Sequence, residues 1–152
     1  MSLQEHLKIK IREATIEDVS FVTATWLNSQ WSQGHIFNKK VKGRPIKTVT
    51  KTIFFDNHAR IINQILEVSN CYVCCAEDDD DLLYGYIVFS KPNIIHFAYV
   101  KGAFRRLGIF DMMIREFFPE DIKLTFTQDT KYTPAVAKEY EMEFNPYEFY
   151  RS

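Results

Sequence analysis

The chain has 152 residues, 19 Lys and Arg against 20 Asp and Glu, a formal net charge of −1 and 46% hydrophobic residues. That composition describes one globular domain able to bury roughly two-thirds of its unfolded surface, without need of disulfides or a structural metal. Near-neutral charge argues against a protein built mainly to grip a nucleic-acid backbone, and no run of about 18 apolar residues is present to span a membrane. Met1–Lys10 includes Glu5, His6 and Lys8 and lacks the apolar core of a secretion signal, so the cytoplasm is the expected location. Aromatic residues make up 15% of the chain against only 5 Gly, so large rings should fill the core and each glycine is worth locating.

Lys8–Arg12 alternates polar and apolar residues, the pattern of a half-buried strand. Thr15 is an N-cap candidate with Asp18 at the capping-box position, and Val19, Phe21, Val22, Trp26 and Leu27 carry a helix from about Ile16 to Ser29. Gln30–Phe55 has no clean period and holds six bases, Lys39, Lys40, Lys42, Arg44, Lys47 and Lys51, with no acid among them. Such a stretch is a functional loop, a solvated segment or the site of a short hidden element. Asp56 or Asn57 should cap a second helix whose buried stripe is Ile61, Ile62, Ile65, Leu66 and Val68.

Strands follow at Cys71–Ala76, Leu83–Ser90 and Ile94–Val100, with Asp78–Asp81 repelling one another into water at a hairpin tip and Lys91-Pro92-Asn93 as a turn. Cys71, Cys74 and Cys75 are clustered and odd in number, which reads as a buried strand in a reducing compartment; no second Cys/His pair stands by to complete a zinc site, and no metal is expected. A basic connection, Lys101–Leu107, leads to a helix opened by Gly108 and stopped by Pro119, then a strand over Ile122–Phe126. Ile94–Thr127 is therefore a strand–helix–strand unit with parallel strands. Thr133 and Pro134 should begin a last helix ending near Tyr140, and Phe144–Tyr150 should close the chain as a strand. The fold class is α/β with a mixed sheet.

Chemistry concentrates at Tyr99-Val100-Lys101-Gly102-Ala103-Phe104-Arg105-Arg106-Leu107-Gly108-Ile109-Phe110. A buried strand ends, a basic loop follows and a helix begins at a glycine. Helix N-termini expose unpaired N–H groups and a positive dipole end, which suits a phosphate, and Arg105 and Arg106 add full charges. An ordinary strand-to-helix turn with solvated arginines would carry the same residues.

At these residues the chain resembles the GNAT superfamily of N-acetyltransferases, whose signature is Arg or Gln, two residues, Gly, one residue, then Gly or Ala at the start of a helix. Arg105 and Gly108 match it and Phe110 departs from it. The element order from Ile9 to Tyr150 is also similar, and Tyr140-Glu141-Met142-Glu143-Phe144-Asn145-Pro146 is similar to the family's Tyr-x-x-Gly-Phe-x-Pro ending, with Glu143 in the glycine place. The resemblance implies a mostly antiparallel central sheet flanked by helices, with the parallel strand–helix–strand unit holding acyl-CoA. It implies acetyl-CoA as co-substrate, an amine acceptor and homodimerisation through terminal strands. Pyrophosphate would lie on the N–H groups of Arg106, Leu107, Gly108, Ile109 and Phe110, beside Arg105. Tyr99 and Val100 would offer backbone groups to the pantetheine arm.

By the same resemblance Tyr140 stands in the place of a general acid and His96, nine residues before Arg105, in the place of a base. Strand alternation would set His96 on one face with Ile94, Ala98 and Val100; a buried structural histidine or a packed tyrosine is the competing reading of each. Glu77 is a second base candidate, and Thr133 caps its helix. Trp26, Trp31, His35 and Phe37 line an acceptor pocket or pack the core. The basic stretch Lys39–Lys51 lies over the acceptor side in this reading, where it would attract an acidic peptide, a phosphorylated molecule or nucleic acid. Three functions follow, an acetyl-CoA-dependent N-acetyltransferase, a catalytically silent binding module of the same fold, and nucleic-acid binding through Lys39–Lys51 and Arg105–Arg106, which would be strongly salt-dependent.

Overall fold

The computed structural model describes residues 8–33, 38–128, 136 and 138–151, apart from the side chains of 33 and 149–151. Strand β1, Ile9–Glu13, is followed by a 3-10 turn at Ile16–Asp18 and helix α1, Val19–Gln33. The expected capping box forms: the Thr15 N–H donates to Asp18 Oδ2 at 2.8 Å. Arg12 holds the same carboxylate through Nη1 and Nη2 at 2.7 and 3.1 Å, which keeps Asp18 below the usual carboxylate range.

The stretch without a clean period contains two elements that periodicity did not show. Strands β2, Asn38–Val41, and β3, Arg44–Lys47, form a separate antiparallel pair around Lys42-Gly43. Helix α2 then spans Lys51–Val68, beginning five residues before the expected cap because Thr50 accepts the Ile53 N–H and Phe54 is buried. Its buried stripe is Phe54, His58, Ile62 and Ile65, whereas Ile61 and Val68 face solvent.

Strands β4, Asn70–Ala76, β5, Asp79–Ser90, and β6, Ile94–Val100, make the meander, and β1 pairs with β4. Helix α3, Ile109–Phe117, leads to β7, Thr125–Phe126, which pairs parallel to β6, and β8, Glu143–Phe144, pairs parallel to β7. The six-stranded sheet has the order β1-β4-β5-β6-β7-β8 and is mixed and mostly antiparallel. The expected closing strand over Phe144–Tyr150 is only two residues long, since Pro146 opens a 3-10 segment through Arg151. Thr133 and Pro134 lie outside the described residues; Val136, Lys138 and Glu139 are helical.

Alternation along the strands feeds two cores, one on each face of the sheet. Val73, Cys75, Tyr86, Val88 and Phe97 pack under α1 and α2, with Trp26 stacked on Phe97 at 4.9 Å between ring centroids. Cys74, Ile87, Phe89 and Ile95 pack under Ile109, Met113 and Ile114 of α3. Burial pushes the thiols of Cys71 and Cys74 up to about 12. Among the described residues no helix is long and apolar enough to cross a membrane.

Candidate functional site

The parallel contact between β6 and β7 is short. Ile94 lies opposite Thr125 and Ile95 opposite Phe126, and the Thr127 N–H donates to the Ile95 carbonyl at 3.1 Å. Beyond that point β7 ends while β6 continues to Val100, so among the described residues the sheet opens into a wedge along the second half of β6. At the C-terminal end of this free edge the chain enters a 3-10 turn, Gly102–Phe104, and then the loop that begins α3.

Two left-handed residues shape that loop, Arg106 with φ 68° and Gly108 with φ 83°. Glycine adopts such a φ without steric cost; arginine does so rarely. Gly108 is the N-cap of α3, and the Met112 N–H closes the first helical turn on its carbonyl at 2.9 Å. The first-turn N–H groups of a helix have no acceptor within it and point out of its end. Arg105 and Arg106 are exposed beside them, Leu107 is half-buried and Ile109 is buried in the core. The first-turn N–H groups of α3 thus follow directly on a loop with two exposed arginines.

Arg105 also turns back onto β6. Its Nε donates to the Val100 carbonyl at 2.9 Å, and its guanidinium carbon sits 5.9 Å from the Tyr99 ring centroid. The Tyr99 ring belongs to the α1 side of the sheet, stacked on Tyr86 and edge-on to Phe21. The Val100 side chain packs on the α3 side.

Phe110, the residue that departs from the family signature, is half-buried. It packs on the α3-side core and meets Tyr140 edge-to-face at 5.5 Å between ring centroids. Tyr140 Oη donates to Asp111 Oδ1 at 2.8 Å, and Arg115 Nε holds Asp111 Oδ2 at 2.8 Å. Burial first, and the Asp111 carboxylate second, raise the Tyr140 phenol well above its ordinary value. Sequence reasoning passed over Asp111, although an acid in the first turn of a helix that should bind an anion is a visible signal.

His96 lies in a different setting. Val88 pairs with Phe97 and Phe89 with Ile95, so His96 has no residue opposite it and occupies a β-bulge. The extra residue resets the alternation: Ile95 and Ala98, three apart, pack in the same core. The face expected for His96 from simple alternation with Ala98 and Val100 therefore does not follow. The ring is 0% exposed, with Nε2 at 3.0 Å from Ser90 Oγ and Nδ1 at 2.9 Å from Thr127 Oγ1. Burial pushes its pKa down to about 4, so the imidazole is neutral near pH 7. Its bonded hydroxyls tie β6 to the last residue of β5 and to the residue after β7.

Glu77 is exposed in the turn between β4 and β5, and its N–H donates to the Lys8 carbonyl at 2.8 Å. Trp26 is a core residue. Trp31 packs against Phe54 and Phe55, and His35 and Phe37 lie outside the described residues.

No family model matches the chain, and no curated protein matches it. Solved structures do resemble it. One is "a possible acetyltransferase" from Clostridium difficile 630, at 14% identity over 91% of this chain and 79% of that one, with a TM-score of 0.46. The apo form of YjaB from Escherichia coli is 16% identical over 71% of this chain and 63% of that one, with a TM-score of 0.47. AAC(6')-Iy, solved with a bisubstrate analog of CoA and acetylneamine, is 12% identical over 89% and 90% of the two chains, with a TM-score of 0.43.

Proposed function

We propose that this chain is an acetyl-CoA-dependent N-acetyltransferase acting on an amine by direct attack. The observation that carries the reading is the wedge between β6 and β7, whose free β6 edge ends at a loop with left-handed Arg106 and Gly108 and an arginine-flanked helix N-terminus. In this reading acetyl-CoA supplies an acyl group activated as a thioester. The N–H groups of Arg106, Leu107, Gly108, Ile109 and Phe110 hold the pyrophosphate with fixed donors, and Arg105 and Arg106 add charge. The backbone of Tyr99 and Val100 holds the pantetheine arm along β6, which requires Arg105 to release the Val100 carbonyl. Phe110 fits the site because its ring packs sideways onto Tyr140 and the core.

Tyr140 is assigned as the acid. It keeps its proton throughout the ordinary pH range, and that proton is directed at Asp111 Oδ1, so donation to a departing thiolate requires the hydroxyl to turn from Asp111. His96 is the base candidate. It is neutral, but the burial that keeps it so also makes it reluctant to take up a proton, and its two hydroxyl partners are buried with it, so the role requires the site to open around Ser90 and Thr127.

Those two engagements favour a second reading, a catalytically silent module that binds the cofactor or a partner. Calorimetry with acetyl-CoA tests the cofactor site: no heat at millimolar concentration overturns the enzyme reading and leaves only a module that binds a partner. If binding occurs, acetyl transfer to a panel of small amines and peptides that is lost in Tyr140→Phe supports the enzyme, and absence of transfer to the whole panel supports the silent module.

A further inference from the structure

The ribbon formed by β2 and β3 takes no part in the chemistry above. Its turn residues, Lys42 and Gly43, have φ of 51° and 79°, the left-handed pair of a tight hairpin whose twist matches its strands. The register is Asn38 with Lys47, Lys39 with Ile46, Lys40 with Pro45 and Val41 with Arg44. A two-residue turn of this type makes Val41 and Arg44 exchange ladder hydrogen bonds, and alternation makes Lys39 and Ile46 the next such pair. Asn38, Lys40, Pro45 and Lys47 consequently aim their backbone polar groups away from the ladder. Pro45 has no N–H, so the outer edge of β3 is blunted there. The outer edge of β2 keeps both donor and acceptor at Lys40, and no third strand joins the ribbon among the described residues.

The two faces differ as well. One is fastened to the body: Asn38 Nδ2 donates to the Trp31 carbonyl at 3.2 Å, and Lys47 Nζ donates to that carbonyl and lies 4.3 Å from the Trp31 ring centroid. The other carries Lys39, Val41, Arg44 and Ile46, with Val41 50% and Ile46 45% exposed. Between residues 39 and 51 stand six of the chain's 19 bases and no acid, so the remaining 13 bases face 20 acids and the rest of the chain carries −7. Lys39, Lys40, Lys42 and Arg44 form no ion pair among the described residues.

The geometry points to an acidic, extended peptide segment that adds to the outer edge of β2 as a third strand. Strand addition satisfies the outward N–H and C=O of Lys40, and a segment that alternates acidic and apolar residues sets its acids beside Lys40 on one face and its apolar side chains beside Val41 on the other. A nucleic acid would use the charges alone, since the ribbon offers no aromatic ring for base stacking and would leave Val41 and Ile46 against phosphate. A second copy pairing β2 with β2 would bring Lys39 and Lys40 against their own counterparts.

The test is fluorescence anisotropy of the full chain with an end-blocked octapeptide of alternating Glu and Val, in low and physiological salt. Binding is expected, weakened about tenfold when alternate backbone amides of the peptide are N-methylated, the size of one or two lost hydrogen bonds. Lys40→Pro, which removes only an outward N–H from the ladder's viewpoint, should bind about tenfold more weakly than Lys40→Ala, with the melting temperature of each variant recorded beside the affinity. The N-methylated peptide needs no variant to fold, so it decides the matter alone. No binding at millimolar peptide, equal binding of the N-methylated peptide, tighter binding of an RNA or DNA duplex or of anionic vesicles, or salt-reversible self-association without peptide binding would each overturn the assignment.

Discussion

His96 in β6 and Tyr140 in the turn before β8 are the two polar candidates for catalysis, and their surroundings are opposite. His96 is sealed between strands with a hydroxyl on each ring nitrogen, and burial drives it toward the neutral form. Tyr140 is half-buried at a helix end with one carboxylate partner that is itself held by Arg115. The first arrangement joins three strands at the point where the sheet opens; the second is a hydrogen bond that one side-chain rotation can break. A residue type and a spacing that suit catalysis therefore select candidates without telling a fastener from a reagent. Access and the number of bonds already made separate them.

Acid should break the His96 side of this contrast first and with the largest effect. His96 and His58 both have a folded-state pKa near 4, below the unfolded value of about 6.5, so the unfolded chain takes up protons first. Stability present above about pH 6.5 is lost as pH falls toward 4, by up to about 3 kcal/mol for each histidine. Urea unfolding at pH 7 and pH 5 measures this, and the pH dependence should shrink in His96→Gln. A midpoint unchanged between the two pH values would show that His96 is not a buried neutral fastener.

Gly85→Ala tests the same opened sheet from the other side of β6. A Cβ at Gly85 would lie 2.3 Å from the Tyr99 carbonyl oxygen, a backbone atom that no rotamer change can move. Overpacking of this kind costs about 1–3 kcal/mol, and the displaced end of β6 should also weaken acetyl-CoA binding in calorimetry. Gly108→Ala places a side chain at φ 83°, which costs about 1–2 kcal/mol. It should lower cofactor affinity more than a distant substitution of equal thermal cost.

The smallest stability effect, about 1 kcal/mol or less, is expected for Tyr140→Phe, which loses one half-exposed hydrogen bond. Its value lies in the comparison with Asp111→Asn. Removing the carboxylate should bring the Tyr140 phenol back toward its ordinary pKa, visible as tyrosinate absorbance appearing at lower pH. An unchanged titration would mean that Asp111 does not hold the Tyr140 proton.

Much of the architecture was legible in order. β1, the meander, the helix opened by Gly108 and its parallel strand all followed from periodicity, caps and turn residues. The ribbon at Asn38–Lys47 was not, because Lys42-Gly43 is not among the strong hairpin dipeptides and two four-residue strands, each with a single aliphatic residue in Val41 or Ile46, are too short to show apolar alternation. The start of α2 was missed because Phe54 and His58 form its stripe with Ile62 and Ile65, while the visible cluster of isoleucines and valine is partly exposed. In the candidate site the arginine-flanked loop was legible, whereas Asp111 and the two hydroxyls around His96 were not, since their importance comes from contacts 29 to 31 residues or 6 residues away in sequence.

By itself the sequence determined the order of elements and the position of the basic loop before Gly108, because caps, glycine and strand periodicity are local properties. Only the tertiary structure decided that a bulge turns His96 out of simple alternation, that Tyr140 gives its hydrogen bond to Asp111, and that a lysine-rich stretch is a ribbon with one open edge. Each of those depends on what lies opposite a residue across a gap in sequence, and a side chain's chemistry is set by the neighbours that fill its hydrogen bonds and exclude water.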